Sequence, residues 1–149
     1  MALYFLETSA LVKLYVREPG TDKLLRLAGR EASHRLAVLP LARVEFHSAI
    51  RRRERSEDID GGNARRLLSR FEQHLESKFV RVTLNDAVME MACTLLDRHP
   101  LRAYDAVQLA GCLALKSMSG SDEPVFTCAD RQLLAAAEAE GLAGLDPAA

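Results

Sequence analysis

Residues 2–20 read ALYFLETSALVKLYVREPG, and this stretch decides the fold. Its first five residues, Ala2 to Leu6, are apolar without alternation, which is the pattern of a strand buried on both faces of a parallel sheet. The apolar run stops at Glu7. Thr8 and Ser9 then offer hydroxyl caps to a helix through SALVKLYV, which Glu18, Pro19 and Gly20 bring to an end. The chain therefore opens as strand, tight turn, helix.

The same alternation continues outward from this opening. Thr21 to Ala28 is predicted as a second short helix, with Leu24, Leu25 and Ala28 on its apolar side and Gly29 after its end. Arg35 to Leu39 (RLAVL) is the next buried strand. Pro40 opens a helix from Leu41 to Arg55, and after the Gly61-Gly62 break another is expected from Asn63 to Ser77. Phe79 to Thr83 alternates as a strand should, and Asn85 caps a helix from Asp86 to Asp97 that His99-Pro100 breaks. A helix from Arg102 to Lys116 and the polar segment SMSGSDEP lead to a strand at Val125 to Cys128. A last helix runs from Asp130 towards Gly141. Strands alternating with helices predict an α/β protein, a three-layer α/β/α sandwich around a central parallel sheet. Residues 1–149 are read as one domain, a length that buries enough surface to need no disulfide or metal staple.

Composition narrows the function. The apolar share of 48% and charged share of 28% suit a soluble globular chain, and no apolar stretch, such as Leu36 to Ala42, is long enough to cross a bilayer. With no basic segment or cleavage-type site at the start, a cytoplasmic location is expected and a membrane partner is not. Cys93, Cys112 and Cys128 are odd in number, widely spaced and set in apolar sequence, so neither a disulfide framework nor a zinc site is expected. A net charge of -1 gives no overall attraction to nucleic acid, so local charge matters more. Arg51, Arg52, Arg53 and Arg55 form one cluster and Arg65, Arg66 and Arg70 another. Such clusters are commonly solvated helix faces; the first is the candidate for RNA contact.

Ligands of open parallel sheets collect outside the carboxyl ends of the strands, and Glu7 and Asp130 both follow predicted strands. Glu45 in LARVEFHSAI and Asp105 in LRAYDAVQLA lie on helices with few charges around them. Helical spacing puts Leu41, Ala42, Ser48 and Ala49 beside Glu45, and Leu101, Arg102, Gln108 and Leu109 beside Asp105. Carboxylates in such settings need a raised pKa, a cationic partner or a metal, and a cluster of four would suit a hard cation, Mg²⁺ or Mn²⁺. Each acid also has an ordinary reading. Asp130 fits an N-cap and Asp105 the positive first turn of its helix, Glu45 has Arg43, Arg51 and Arg52 nearby, and Glu7 is a polar strand exit.

The blocks around these acids resemble the PIN-domain family, and within it the VapC toxins of toxin–antitoxin pairs. YFLETSALVKLYVREPG is similar to the family's first strand and helix, whose usual form has Asp before Thr/Ser-Ser-Ala-Leu. LARVEFHSAI, LRAYDAVQLA and VFTCADRQLLAAAEAEGL resemble the blocks of the second, third and fourth acids, in matching order. The resemblance implies a Mg²⁺- or Mn²⁺-dependent endoribonuclease with Glu7, Glu45, Asp105 and Asp130 as catalytic metal ligands and Thr8, Ser9 and Thr127 as auxiliary hydroxyls near the ion. It implies RNA substrates such as tRNA or rRNA, a VapB-like antitoxin and a homodimer. Two positions depart from the pattern: Glu7 stands where Asp is usual, and Cys128 where Ser or Thr is common. His34, His47, His74 and His99 are read as surface or structural. The rival readings are a catalytically weak PIN domain that binds RNA or a partner, and, more remotely, a phosphoacceptor receiver domain, which VTLND and VFTCAD do not match.

Overall fold

A computed structural model describes residues 2–149, Arg30 by its backbone alone. Five strands, β1 (Leu3–Leu6), β2 (Arg35–Val38), β3 (Val80–Arg81), β4 (Pro124–Thr127) and β5 (Ala143–Leu145), form one sheet of order β3-β2-β1-β4-β5. Every pairing is parallel; Leu3, Tyr4 and Phe5 register with Arg35, Leu36 and Ala37 on one side, and Leu3 to Leu6 with Pro124 to Thr127 on the other. The chain first winds from β1 outward to β3, then returns to the other side of β1 for β4. The adjoining ends of β1 and β4 thus form the crevice in which open α/β sheets bind ligands.

The helices are α1 (Thr8–Val12), α2 (Thr21–Ala28), α3 (Leu41–Arg55), α4 (Gly61–Ser77), α5 (Asp86–Arg98), α6 (Ala103–Met118) and α7 (Arg131–Ala139). They cover both faces of the sheet. Leu3, Phe5, Ala37 and Phe126 pack with buried residues of α5, α6 and α7, while Leu6 and Val38 pack with those of α1 to α4. This is the expected three-layer sandwich. Both faces of β1 are covered, which is why its sequence shows no polar alternation. Among the described residues no helix is long and apolar enough to cross a membrane.

Several local expectations are corrected. The cap of α1 is Glu7 rather than Thr8 or Ser9, and the regular helix ends at Val12, its continuation through Val16 being a series of turns. Leu25 is 45% exposed, so α2 is anchored by Thr21 and Leu24. Gly61 and Gly62 lie inside the first turn of α4, because Asp60 caps it by accepting from the Asn63 amide at 2.7 Å. The strand expected over Phe79 to Thr83 contracts to Val80–Arg81. β5 was not foreseen, since AGL contains no β-branched or aromatic residue. Gly144 admits α7 closely there: a Cβ would stand 2.7 Å from Leu134 Cδ1. The cysteines are all free, but Cys93 is exposed rather than buried in apolar surroundings.

Helix α3 is held down by Phe46, which is fully buried, its ring 4.3 Å from that of Phe71 and 5.0 Å from that of Tyr15 between centroids. Truncation by Phe46→Ala removes both contacts and leaves a cavity. The expected loss is about 3–5 kcal/mol of unfolding free energy, read by urea denaturation; a loss below about 1 kcal/mol would show that this aromatic cluster does not anchor the layer.

Candidate active site

Sheet pairing sets the position of Glu7. Its backbone N–H donates to the Thr127 carbonyl at 3.1 Å, one step beyond β1, and its side chain turns back over the start of α1. Oε1 accepts from the Ser9 amide at 2.9 Å and from the Ser9 hydroxyl. The residue is only 6% exposed. Burial pushes its carboxyl from 4.5 up to about 7, against the lowering effect of the Ser9 and Cys128 hydrogen bonds; the charge of Glu45 adds to the rise.

Glu45 is fixed from two other elements. Thr8 Oγ1 on α1 donates to Glu45 Oε1 at 2.9 Å, and Gln108 Nε2 on α6 donates to the same oxygen at 2.7 Å and to Thr8 Oγ1 at 3.1 Å. Two of the three arginines near Glu45 in sequence are engaged elsewhere, Arg43 with Glu72 at 2.7 Å and Arg51 with Glu54 at 2.8 Å. Gln108 was not singled out from the sequence as a site residue. The available signal was its amide three residues after Asp105 in an otherwise apolar run. It is fully buried, and its Oε1 has no partner among the described residues.

Asp105 lies in the first turn of α6, partly buried. Burial raises its pKa, the charges of Asp130 and Glu45 raise it further, and Arg102 opposes them. Asp130 is the N-cap of α7; its Oδ1 accepts from the Gln132 and Leu133 amides at 2.9 and 3.2 Å. The ordinary capping role therefore holds for one oxygen. Among the described residues, Asp130 Oδ2, Glu45 Oε2 and both oxygens of Asp105 accept no hydrogen bond from the protein.

Mutual repulsion thus links Glu7 to Glu45, Glu45 to Asp105, and Asp105 to Asp130. As the side chains stand, no three His, Cys, Asp or Glu among the described residues are grouped tightly enough to hold a metal ion. In kind they suit one: all-oxygen donors, incompletely neutralised, match a hard divalent cation. Of the auxiliary hydroxyls, Thr8 meets Glu45 and Ser9 meets Glu7, and Ser9 Oγ also accepts from the Ala129 amide at 3.0 Å. Thr127 is buried in β4, and among the described residues its hydroxyl donates to the Val125 carbonyl, at 3.4 Å. Cys128 instead meets the site, its Sγ accepting from the Asp130 amide at 3.3 Å; burial keeps it a thiol.

A cleft of about 850 Å³ opens over this ground, with Glu7, Ser9, Glu45, Arg52, Arg102 and Tyr104 in its walls. A more apolar groove of about 580 Å³, walled by Leu25, Leu36, Leu67 and His74 among others, contains none of the four acids. The arginine cluster is divided. Arg51 pairs with Glu54 and Arg53 with Glu18, and Arg55 shares an outer face with Arg43 and His47. Arg52 borders the cleft, and among the described residues its only hydrogen-bond partner is the Ser48 hydroxyl, at 3.4 Å.

A family model described as "PIN domain" matches residues 4–139, and the chain belongs to the PIN-domain family. Comparison with curated proteins gave no match. Among solved structures, the chain is 26% identical to PAE2754 from Pyrobaculum aerophilum, over 96% of this chain and 89% of that one, with a TM-score of 0.62. FitAcB from Neisseria gonorrhoeae is 14% identical over 97% of each chain, and VapBC-1 from nontypeable Haemophilus influenzae is 13% identical over 99% of each. Both give TM-scores of 0.64, a likeness of fold. PIN domains are in general nucleases, so membership points to a hydrolase.

Folding raises the Glu7 carboxyl from 4.5 to about 7, so across that interval the folded chain binds a proton that the unfolded chain has released. Stability attributable to Glu7 therefore falls as pH rises from 4.5 to about 7 and stays reduced above it. Glu7→Gln keeps an acceptor for Ser9 and removes the charge. In chelator-treated protein the variant is expected to be more stable at pH 8, by on the order of 3 kcal/mol, with the gain vanishing near pH 4.5. Urea denaturation at the two pH values checks this, and an equal effect at both would exclude the buried charge as its cause.

Proposed function

We propose that this chain is a Mg²⁺- or Mn²⁺-dependent endoribonuclease, one PIN nuclease unit, acting as the toxin of a VapBC-type pair. The observation that carries the reading is the set of carboxylates from the end of β1, from α3, from α6 and from the cap of α7: Glu45 adds to the raised pKa of Glu7, Asp130 and Glu45 add to that of Asp105, and Glu7 and Glu45 line the cleft. Such a set in a nuclease family matches a site that is neutralised by a cation.

Glu7, Glu45, Asp105 and Asp130 would hold the ion. When bound, the ion supplies Lewis acidity to a phosphate oxygen and a more acidic water. The chain's own residues position the rest. Thr8 and Gln108 hold Glu45 by Oε1 and leave Oε2 free, the α7 amides do the same for Asp130, and Ser9 holds Glu7 by Oε1. Arg52 and Arg102, both exposed and both bordering the cleft, offer N–H donors to phosphate oxygens of the RNA. A VapB-like antitoxin, tRNA or rRNA as substrate and a homodimer are part of this proposal. For the dimer, the exposed stripe of Met89, Cys93 and Leu96 on α5 is supporting surface.

Asp105→Asn, or chelator added to the parent, is expected to lower cleavage of RNA at least about 100-fold, with the Asn variant melting at the same temperature or higher. Full cleavage in chelator would remove the metal from the proposal, and full cleavage by the variant would remove Asp105. Coexpression with the product of the adjoining reading frame tests the toxin role. A small DNA-binding protein that suppresses cleavage is the expected result, and cleavage unaffected by it would leave a nuclease outside such a pair.

A further inference from the structure

The three tyrosines are used differently. Tyr15 packs its ring against Phe46, Phe71 and His74, and its hydroxyl lies 2.6 Å from His74 Nδ1. Tyr4 packs edge-on against His34. Tyr104 serves no such purpose: it is 63% exposed, the only aromatic among the large exposed hydrophobics of the described residues, and its hydroxyl has no hydrogen-bond partner among them. A tyrosine that contributed to the fold would bury its ring or satisfy its hydroxyl.

Its position supplies a reason. Tyr104 immediately precedes Asp105 in the first turn of α6 and borders the same cleft as Glu7 and Glu45. Val44, 67% exposed, and Leu41 add apolar surface to that cleft from α3, beside Arg102 and Arg52. Helical spacing aligns Leu41, Glu45, Ser48 and Arg52 along one face of α3, so an apolar end, an acid and a cation follow one another along the wall. A nucleotide has that same division, with a flat apolar base joined to an anionic phosphate.

We propose that Tyr104 is a stacking platform for the nucleobase adjoining the scissile phosphate. This inference rests on the nuclease reading and deepens it. Stacking on a phenol ring is available to every base, so Tyr104 contributes affinity and register rather than sequence choice. It also requires a base free of its pairing partner, so the cleft takes the substrate where a nucleotide is unpaired.

The test uses the full chain in chelator with a fluorescein-labelled, unstructured RNA oligonucleotide of mixed sequence, binding being read by anisotropy. Tyr104→Ala is expected to weaken binding about 5- to 100-fold, while Tyr104→Phe stays within about threefold of the parent. An abasic nucleotide scanned along the oligonucleotide should abolish the difference between parent and Ala variant at one position. Equal affinity of all three proteins, or no measurable binding by the parent, overturns the proposal. A Phe variant as weak as the Ala variant assigns the effect to the hydroxyl and overturns stacking. Cleavage of the same oligonucleotide with Mn²⁺ is measured separately; intact Tyr104-dependent binding without metal-dependent cleavage would overturn the nuclease reading alone.

Discussion

The site depends on one constraint, the pairing of β1 with a parallel neighbour on each side. Its register with β4 extends one residue past the strand, through the Glu7 N–H and the Thr127 carbonyl, so the chain cannot leave the sheet before Glu7. On the other side β2 ends at Val38, and α3 begins three residues later with Glu45 just over one turn in. β4 ends at Thr127, and Asp130 caps the next helix. Three of the four acids thus inherit their positions from strands whose carboxyl ends lie side by side. The fourth, Asp105, is brought by α6, whose Gly111 lies so close to the sheet that a Cβ would stand 2.8 Å from Leu39 Cδ1.

Local hydrogen bonding and electrostatics pull these acids in opposite directions. Glu7 and Asp130 each give one oxygen to helix amides, and Glu45 gives one to Thr8 and Gln108, interactions that favour the folded chain. Burial and like charge raise the pKa of Glu7 and Asp105, which disfavours the ionised folded chain. The region therefore has ordered carboxylates two of which, Glu7 and Asp105, are held above the usual carboxylate range. A protein selected for stability alone would replace Glu7 by a neutral acceptor, since Gln meets the same Ser9 groups without the desolvation cost of an anion.

The sandwich was legible because both faces of β1 and the inner ends of β2 and β4 are buried, and burial writes unbroken apolar runs. β5 was not legible: its pairing depends on Val125, Phe126 and Thr127 offering a free edge, and nothing in AGL carries that information. The caps show the same limit. Asn85 and Asp130 were readable because one side chain meets amides two or three residues on, whereas the capping by Glu7 competes with two hydroxyl residues that have better propensity. At the site, the acids could be named from their apolar settings and from the family blocks. Gln108 could not, because its contacts with Thr8 and Glu45 join residues distant in sequence. The division of the arginine cluster depended likewise on Glu18 and Glu54, which capture Arg53 and Arg51 and leave Arg52 at the cleft.

The strand order also has a consequence for synthesis. The central strand is synthesised before the other four, yet one of its two neighbours follows more than a hundred residues later, with Leu3 registered against Pro124. The early segment can assemble β1, β2 and β3 with their covering helices, and that portion contains Glu7 and Glu45 but neither Asp105 nor Asp130. Long-range parallel pairing is slow to form, and the pairing of β1 with β4 is of that kind. In chain order, then, Glu7 and Glu45 come with the first three strands, and Asp105 and Asp130 follow only with α6 and the cap of α7.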